Sequence, residues 1–279
     1  MIGIVDVGGG TRGIYGAGVF DRCLDDGIIF DYVIGVSAGS ANAAAYTAGQ
    51  RGRNYVFYTD YSFRKEYMSA GNLLKTGSYL SLDYIYGTLS NTDGDYPLDY
   101  DALAASPVNF DVVTTDANTG EPVYLNKKDL KKDDYWFFKA SCCVPVVCRP
   151  YTVNGTPYYD GGISDPVPLR RAFAMGCDKV VVILTKPRDA EISNKRNALA
   201  GKILQNKYPA SAKKVAACND LYLQSVEAAK RLEKEGKVLI IAPDDIGELK
   251  TLSKDKSVLH KLYWKGYGDA AEIKKFIET

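Results

Sequence analysis

Residues 2–39 read IGIVDVGGGTRGIYGAGVFDRCLDDGIIFDYVIGVSAG, and this stretch decides the fold. Ile2 to Val7 is a short apolar run, which predicts a strand. Gly8 to Gly13 is a turn, and Ile14 to about Asp26 carries Val19, Phe20, Cys23 and Leu24 at helical spacing, with Gly27 as the stop. Phe30 to Val36 predicts a second strand, and Ala38 to Ala48 an alanine-rich helix with little bulk that packs closely on a sheet. Strand, turn and helix, twice over, is the start of an α/β fold.

The rest of the chain extends that pattern. From Arg51 to Ala105 it is rich in Tyr, Asp, Asn and Gly, with weak helical patterns at 82–89 and 99–105, and is expected to form a cap or lateral layer. Asn109 to Thr114 and Pro122 to Leu125 are expected strands turned by Asn118-Thr119-Gly120, and Tyr135 to Cys143 a short helix. Tyr151 to Val153 and Pro157 to Tyr159 flank Asn154-Gly155, a hairpin signal that sets Asp160 just past a strand end. Lys179 to Leu184 reads as a buried strand and Lys237 to Ala242 as a last one. Between them Lys213 to Lys234 is a long amphipathic helix with Val215, Cys218, Leu221, Ala228 and Leu232 inward. A helical tail follows Ser257. With no internal repeat and no low-complexity linker, the expectation is one domain over 1–279: three-layer α/β, with a largely parallel central sheet flanked by helices.

The composition, 46% hydrophobic and 25% charged over 279 residues, is that of an ordinary globular protein. No window approaches the roughly 20 apolar residues that a spanning helix needs. Thirty-five Lys and Arg against 34 Asp and Glu leave a formal charge of +1. Such a chain has no global field toward nucleic acid, and any peripheral membrane contact must be local. The first residues hold no basic leader ahead of an apolar run, and six cysteines (Cys23, Cys142, Cys143, Cys148, Cys177, Cys218) form neither a ladder nor a Cys-x-x-Cys pair. Reduced, mostly buried thiols in a cytoplasmic protein are the expectation. The single histidine excludes a His-rich metal site. Nothing in the sequence bears on the oligomeric state.

Gly35-Val36-Ser37-Ala38-Gly39 sits between an expected strand and an expected helix, the context in which Gly-x-Ser-x-Gly exposes a nucleophilic serine on a sharp turn. The plainer reading is a tight turn whose serine caps the helix. Gly8-Gly9-Gly10-Thr11-Arg12-Gly13 leaves a row of backbone N–H groups unencumbered beside a helix N-terminus, at the same sheet edge. Donors of that kind stabilise the oxyanion of acyl transfer. The glycines also fit a dinucleotide fingerprint, but there an acid ends the second strand, whereas here Asp31 begins it. A serine nucleophile needs a base. His260, in a polar position on the C-terminal helix, reads as a surface residue. A carboxylate is then the expected base, and Asp160-Gly161-Gly162, a tight turn after a strand, is the best candidate.

These three segments, in this order, resemble the patatin-like phospholipase family. Asp160-Gly161-Gly162-Ile163-Ser164-Asp165-Pro166-Val167-Pro168-Leu169 and Ala140-Ser141-Cys142-Cys143-Val144-Pro145 look like its bacterial branch, and the likeness covers most of 2–185. The resemblance implies a Ser37–Asp160 dyad without histidine. It implies an oxyanion hole in the loop of Gly8, Gly9, Gly10, Arg12 and Gly13 with the Ala38 amide, and Gly35, Gly39, Gly161 and Gly162 as supporting residues. It also implies no cofactor, and acyl esters of phospholipids, galactolipids or triacylglycerols as substrates. Arg12 would bind a head-group phosphate or orient the loop. Val7 and Thr11 depart from the family pattern, where an acid and an apolar residue are usual. Two alternatives stay open: a dinucleotide-binding oxidoreductase, and a catalytically silent member acting as a binding or regulatory module.

Overall fold

Along the central strands, successive side chains enter two different cores, as a pleat of period two requires. Ile4, Val33, Val112 and Val181 face one, while Val5, Ile34, Val113 and Val182 face the other. The sheet is therefore buried on both sides, and its strands read as continuous apolar runs.

The computed structural model describes residues 1–247, 249, 251–252 and 254–279. The elements are, in order, β1 (Ile2–Asp6), α1 (Ile14–Asp25), β2 (Tyr32–Val36), α2 (Ala38–Thr47), α3 (Arg53–Thr59), α4 (Ala70–Thr76), a π-helical turn (Tyr84–Thr88), α5 (Tyr100–Ala105), β3 (Asn109–Asp116) and β4 (Pro122–Asn126). There follow α6 (Trp136–Ser141), β5 (Tyr151–Val153), β6 (Thr156–Asp160), α7 (Leu169–Ala174), β7 (Lys179–Ile183), α8 (Lys195–Leu204), α9 (Pro209–Lys234), β8 (Val238–Ile241), α10 (Lys256–Asp269) and α11 (Ala271–Glu278). The sheet order is β5-β6-β3-β2-β1-β7-β8, with β4 pairing β3. β3, β2, β1, β7 and β8 run parallel; β4 and β6 pair antiparallel with β3, and β5 pairs antiparallel with β6. This is the three-layer α/β arrangement with a largely parallel sheet that the sequence predicts.

One register places the site. β2 pairs with β3 from Asn109 to Val113, while β4 holds the opposite edge of β3 from Asp111 to Thr115. β6 pairs with Thr114 to Asp116, on the edge that β2 has just vacated, and runs antiparallel to it. β2 and β6 thus meet head to head: Val36 pairs with Val113, and Asp160 with Thr114. The residue after Val36 is Ser37.

The expected boundaries hold to within a few residues, with three differences. The weak pattern at 82–89 is a π turn over Tyr84–Thr88. α3, α4, α7 and α8 have no counterpart among the expected elements. α9 starts four residues before the expected Lys213, at Pro209, whose missing N–H is harmless in a first turn. Of its five expected inward residues only Val215 is buried; Ser211, Ala212, Val226 and Ala229 complete the buried set. The reason is that its first turns pack on α8, where Gly201 meets Ala212, while Val226 and Ala229 enter the core under the sheet.

Candidate active site

Ser37 takes φ 54° and ψ −131°, a backbone region that costs a non-glycine residue about 1–3 kcal/mol and persists only when its surroundings fix it. Here they do. The Ser37 N–H donates to Ser141 Oγ at 2.9 Å, and that hydroxyl donates to the Val113 carbonyl at 2.6 Å. The Ser37 carbonyl accepts both the N–H and the Oγ–H of Ser40. The flanking glycines are required by space: a Cβ on Gly35 would lie 2.4 Å from Ser40 Cα, and one on Gly39 2.3 Å from the Asp6 carbonyl. Ser141 is the residue that sequence reasoning missed. It lay inside a quoted motif, yet nothing in its spacing indicated what it would bond.

Asp160 ends β6, and its backbone is fixed by the Thr115 hydroxyl on its carbonyl and by the Cys143 carbonyl accepting its N–H. Its Oδ1 accepts the Gly162 N–H at 2.8 Å. Burial raises the carboxyl pKa to about 6, against the lowering influence of the Ser37 hydroxyl beside it and of the Gly162 N–H. A carboxylate in that range is a far better proton acceptor at neutral pH than a solvated one.

The glycine loop leaves β1 with left-handed backbone at Gly8, Gly9 and Gly10. Its donors are not equivalent. The Gly8 N–H is taken by Asp6 Oδ1 at 2.8 Å, and the Gly13 carbonyl accepts from Asn42 Nδ2, which also donates to Asp6 Oδ2. Both ends of the loop are thereby tied to α2. Asp6 is fully buried, and burial raises its pKa to about 6 despite the hydrogen bonds from Asn42 and Gly8. Among the described residues nothing accepts the N–H of Gly9, Gly10 or Ala38. The Arg12 side chain is buried and donates Nη1–H to Thr251 Oγ1 at 3.0 Å, and the Thr11 N–H donates to the Thr251 carbonyl at 2.8 Å. Of the eight expected oxyanion and catalytic positions, Gly8 and Gly13 therefore act as anchors and Arg12 as a brace.

Gly10, Thr11, Ser37 and Ala38 border a cavity of about 630 Å³. Its remaining wall is mainly apolar, with Phe57, Tyr58, Tyr67, Met68, Leu80, Leu82 and Ile85 from the cap and Val144 to Val147 from the loop after α6. Six aromatic residues fall between positions 55 and 67; Phe57, Tyr58 and Tyr67 line the cavity, and Tyr55, Tyr61 and Phe63 do not.

His260 is exposed on α10, with Nδ1 2.8 Å from the Tyr55 hydroxyl, and is not in the cavity wall. Asp31 accepts the Ile2 N–H at the far end of the strands, away from the glycine loop, so the acid that a dinucleotide ribose requires is at the wrong edge.

A family model described as Patatin-like phospholipase matches residues 7–173, and another, described as Domain of unknown function (DUF6363), matches 208–278. The chain is 30% identical over 193 residues to the uncharacterized protein YjjU of Escherichia coli, covering 67% of this chain and 52% of that one. It is 27% identical over 186 residues to lysophospholipase NTE1 of Yarrowia lipolytica, covering 65% of this chain and 12% of the relative. The chain thus spans about half the length of the first relative and a small part of the second. In a structural superposition, VipD from Legionella pneumophila covers 98% of this chain and 66% of its own, at 16% identity and a TM-score of 0.49.

Proposed function

The chain belongs to the patatin-like phospholipase family, and from that premise we propose that it is a serine acyl hydrolase of lipid esters, with Ser37 as nucleophile and Asp160 as its sole catalytic partner. The observation that carries this reading is the head-to-head meeting of β2 and β6 at the end of an apolar cavity. It brings a strained serine against a buried carboxylate whose pKa is about 6.

Ser37 Oγ attacks the ester carbonyl carbon as its proton passes to Asp160. The carbonyl oxygen, now anionic, is held by the N–H groups of Gly9, Gly10 and Ala38. Collapse of the intermediate breaks the ester C–O bond, and the leaving alkoxide takes the proton from Asp160, giving the free alcohol and an acyl-Ser37. Water then attacks the acyl carbon with Asp160 again accepting a proton, and Ser37 Oγ leaves protonated as the carboxylic acid is released. The acyl chain lies in the cavity, whose wall is mainly apolar, while burial by the protein itself keeps the Asp160 pKa raised. Arg12 acts through the loop, since its side chain is buried against Thr251.

The chain functions as one unit in this reading. β8 extends the same sheet, and α10 packs so closely on α1 that a Cβ on Gly18 would lie 2.1 Å from the Tyr263 carbonyl. Six free cysteines favour a reducing, cytoplasmic setting. Among the described residues no helix is long and apolar enough to cross a membrane. The test is release of fatty acid from a panel of phospholipid, lysophospholipid and acylglycerol esters by wild type and Ser37→Ala. Release by wild type alone supports the reading; no release from any ester leaves the silent binding module in its place.

A further inference from the structure

Among the described residues, nine large apolar side chains are exposed; Met1, Ile29, Phe63 and Trp264 are scattered singly, whereas the other five stand on three segments near one opening. Leu199 and Ile203, one turn apart on α8, are 61% and 59% exposed, and Val146 on the loop after α6 is 49% exposed; all three border the mouth of the cavity that contains Ser37. Leu74 on α4 is 88% exposed, beside the half-exposed Leu73. α4 stands on an excursion between Met68 and Leu80, which pair with each other and both line the cavity, and the Tyr79 N–H on that excursion donates to the Val147 carbonyl. Three separate segments therefore raise apolar side chains at one rim. None is needed for the fold, because α8 packs on α9 through Gly201 and Leu204, and no residue of α4 is buried.

The charge on the same segments has one sign. α4, α8 and the loop 144–149 contain Lys75, Arg149, Lys195, Arg196 and Lys202 and no carboxylate, in a chain whose formal charge is only +1. Among the described residues none of these five cations is in an ion pair. Apolar side chains ringed by unpaired lysine and arginine have the character of a surface that inserts shallowly between acyl chains while its cations meet anionic head groups.

We propose that the rim formed by α4, α8 and the loop 144–149 seats the protein on an anionic lipid surface, with the cavity mouth facing the bilayer. The inference rests on the reading of the cavity as the acyl site. It adds the partner, the face and the orientation. A lipid would then pass from the bilayer into the cavity without its acyl chain crossing water.

The experiment uses Ser37→Ala protein, so that no lipid is consumed, in co-sedimentation with vesicles of phosphatidylcholine alone or with about one third phosphatidylglycerol. The protein is expected in the pellet with the mixed vesicles and largely in the supernatant with phosphatidylcholine or in high salt. Adding Leu74→Glu and Lys202→Glu, both solvent-exposed and outside the cavity wall, should lower partitioning at least about tenfold with an unchanged melting temperature. The same pair in the Ser37 background should leave turnover of a water-soluble short-chain ester within about twofold. Equal pelleting of the variant and its parent would overturn the proposal, as would a dimer in solution that Leu74→Glu dissolves. Binding by Ser37→Ala protein without hydrolysis by wild type would sink the hydrolase reading and leave the docking face standing. Hydrolysis of the soluble ester without vesicle binding would do the reverse.

Discussion

Thr251 lies 240 positions after Thr11 and accepts that residue's backbone N–H on its own carbonyl at 2.8 Å. Its hydroxyl accepts from Arg12 at the same time. The C-terminal region therefore braces the outer side of the glycine loop, while Asp6 and Asn42 hold the inner side. Thr251→Val keeps the carbonyl and the shape but removes the hydroxyl, leaving Arg12 Nη1 without its acceptor. The expected result is a several-fold loss in kcat with KM little changed, because a loosened loop weakens donors that act in the transition state. Steady-state kinetics on one soluble ester checks it.

Ser141 joins the nucleophile turn to β3, so Ser141→Ala strips the Ser37 N–H of its acceptor in a buried setting. An unsatisfied buried donor costs about 1–3 kcal/mol. The variant should melt lower, and it should react with a fluorophosphonate roughly tenfold more slowly than wild type.

Asp160 carries a stability effect opposite in sign to its catalytic one. Its folded pKa, about 6, lies above the unfolded value of 3.8, so the folded state binds the proton more tightly and ionisation destabilises it. That cost is absent below about pH 4, grows between pH 4 and 6, and is complete above about pH 6, at roughly 3 kcal/mol. Asp160→Asn is never ionised. It should be at least about 100-fold slower than wild type, yet melt higher at pH 7.5, with the gain shrinking as the pH falls toward 4. A series of thermal melts across that range checks the sign.

Activity should rise with pH through about 6, since Asp160 accepts the proton only when ionised. Asp6 titrates in the same range and holds the Gly8 N–H. Protonating both should make the acid limb of kcat/KM steeper than one proton allows.

Much of this was legible in the sequence for a physical reason. A parallel strand buried on both faces must be an apolar run, and the turns after β1 and β2 must be built of glycine where a Cβ at Gly8 or Gly39 would strike backbone. Those constraints are local, and they mark both loops. The meeting of Ser37 with Asp160 is not local. It depends on β6 taking the edge of β3 that β2 vacates, and a hairpin signal such as Asn154-Gly155 fixes a turn without fixing which edge its strand joins. α8 was invisible because two of its three large apolar residues, Leu199 and Ile203, face outward and only Leu204 is buried, so it lacks the buried stripe that periodicity detects. The bracing by Thr251 and Ser141 came from hydroxyls that no pattern distinguishes from ordinary polar positions.

The proposed Ser37–Asp160 dyad gives the lone histidine no part in the chemistry; His260 lies against Tyr55 on the exposed face of α10. His260→Ala should keep turnover within about threefold of wild type. Loss of activity comparable to Asp160→Asn, with a normal melt, would mean a triad.

Labelling with a fluorophosphonate, followed by peptide mapping, identifies the nucleophile without knowledge of the substrate. One adduct is expected, on Ser37, absent from Ser37→Ala, greatly slowed in Asp160→Asn and unaffected in His260→Ala. An adduct on any other residue, or labelling of Ser37→Ala at the wild-type rate, would contradict Ser37 as the nucleophile.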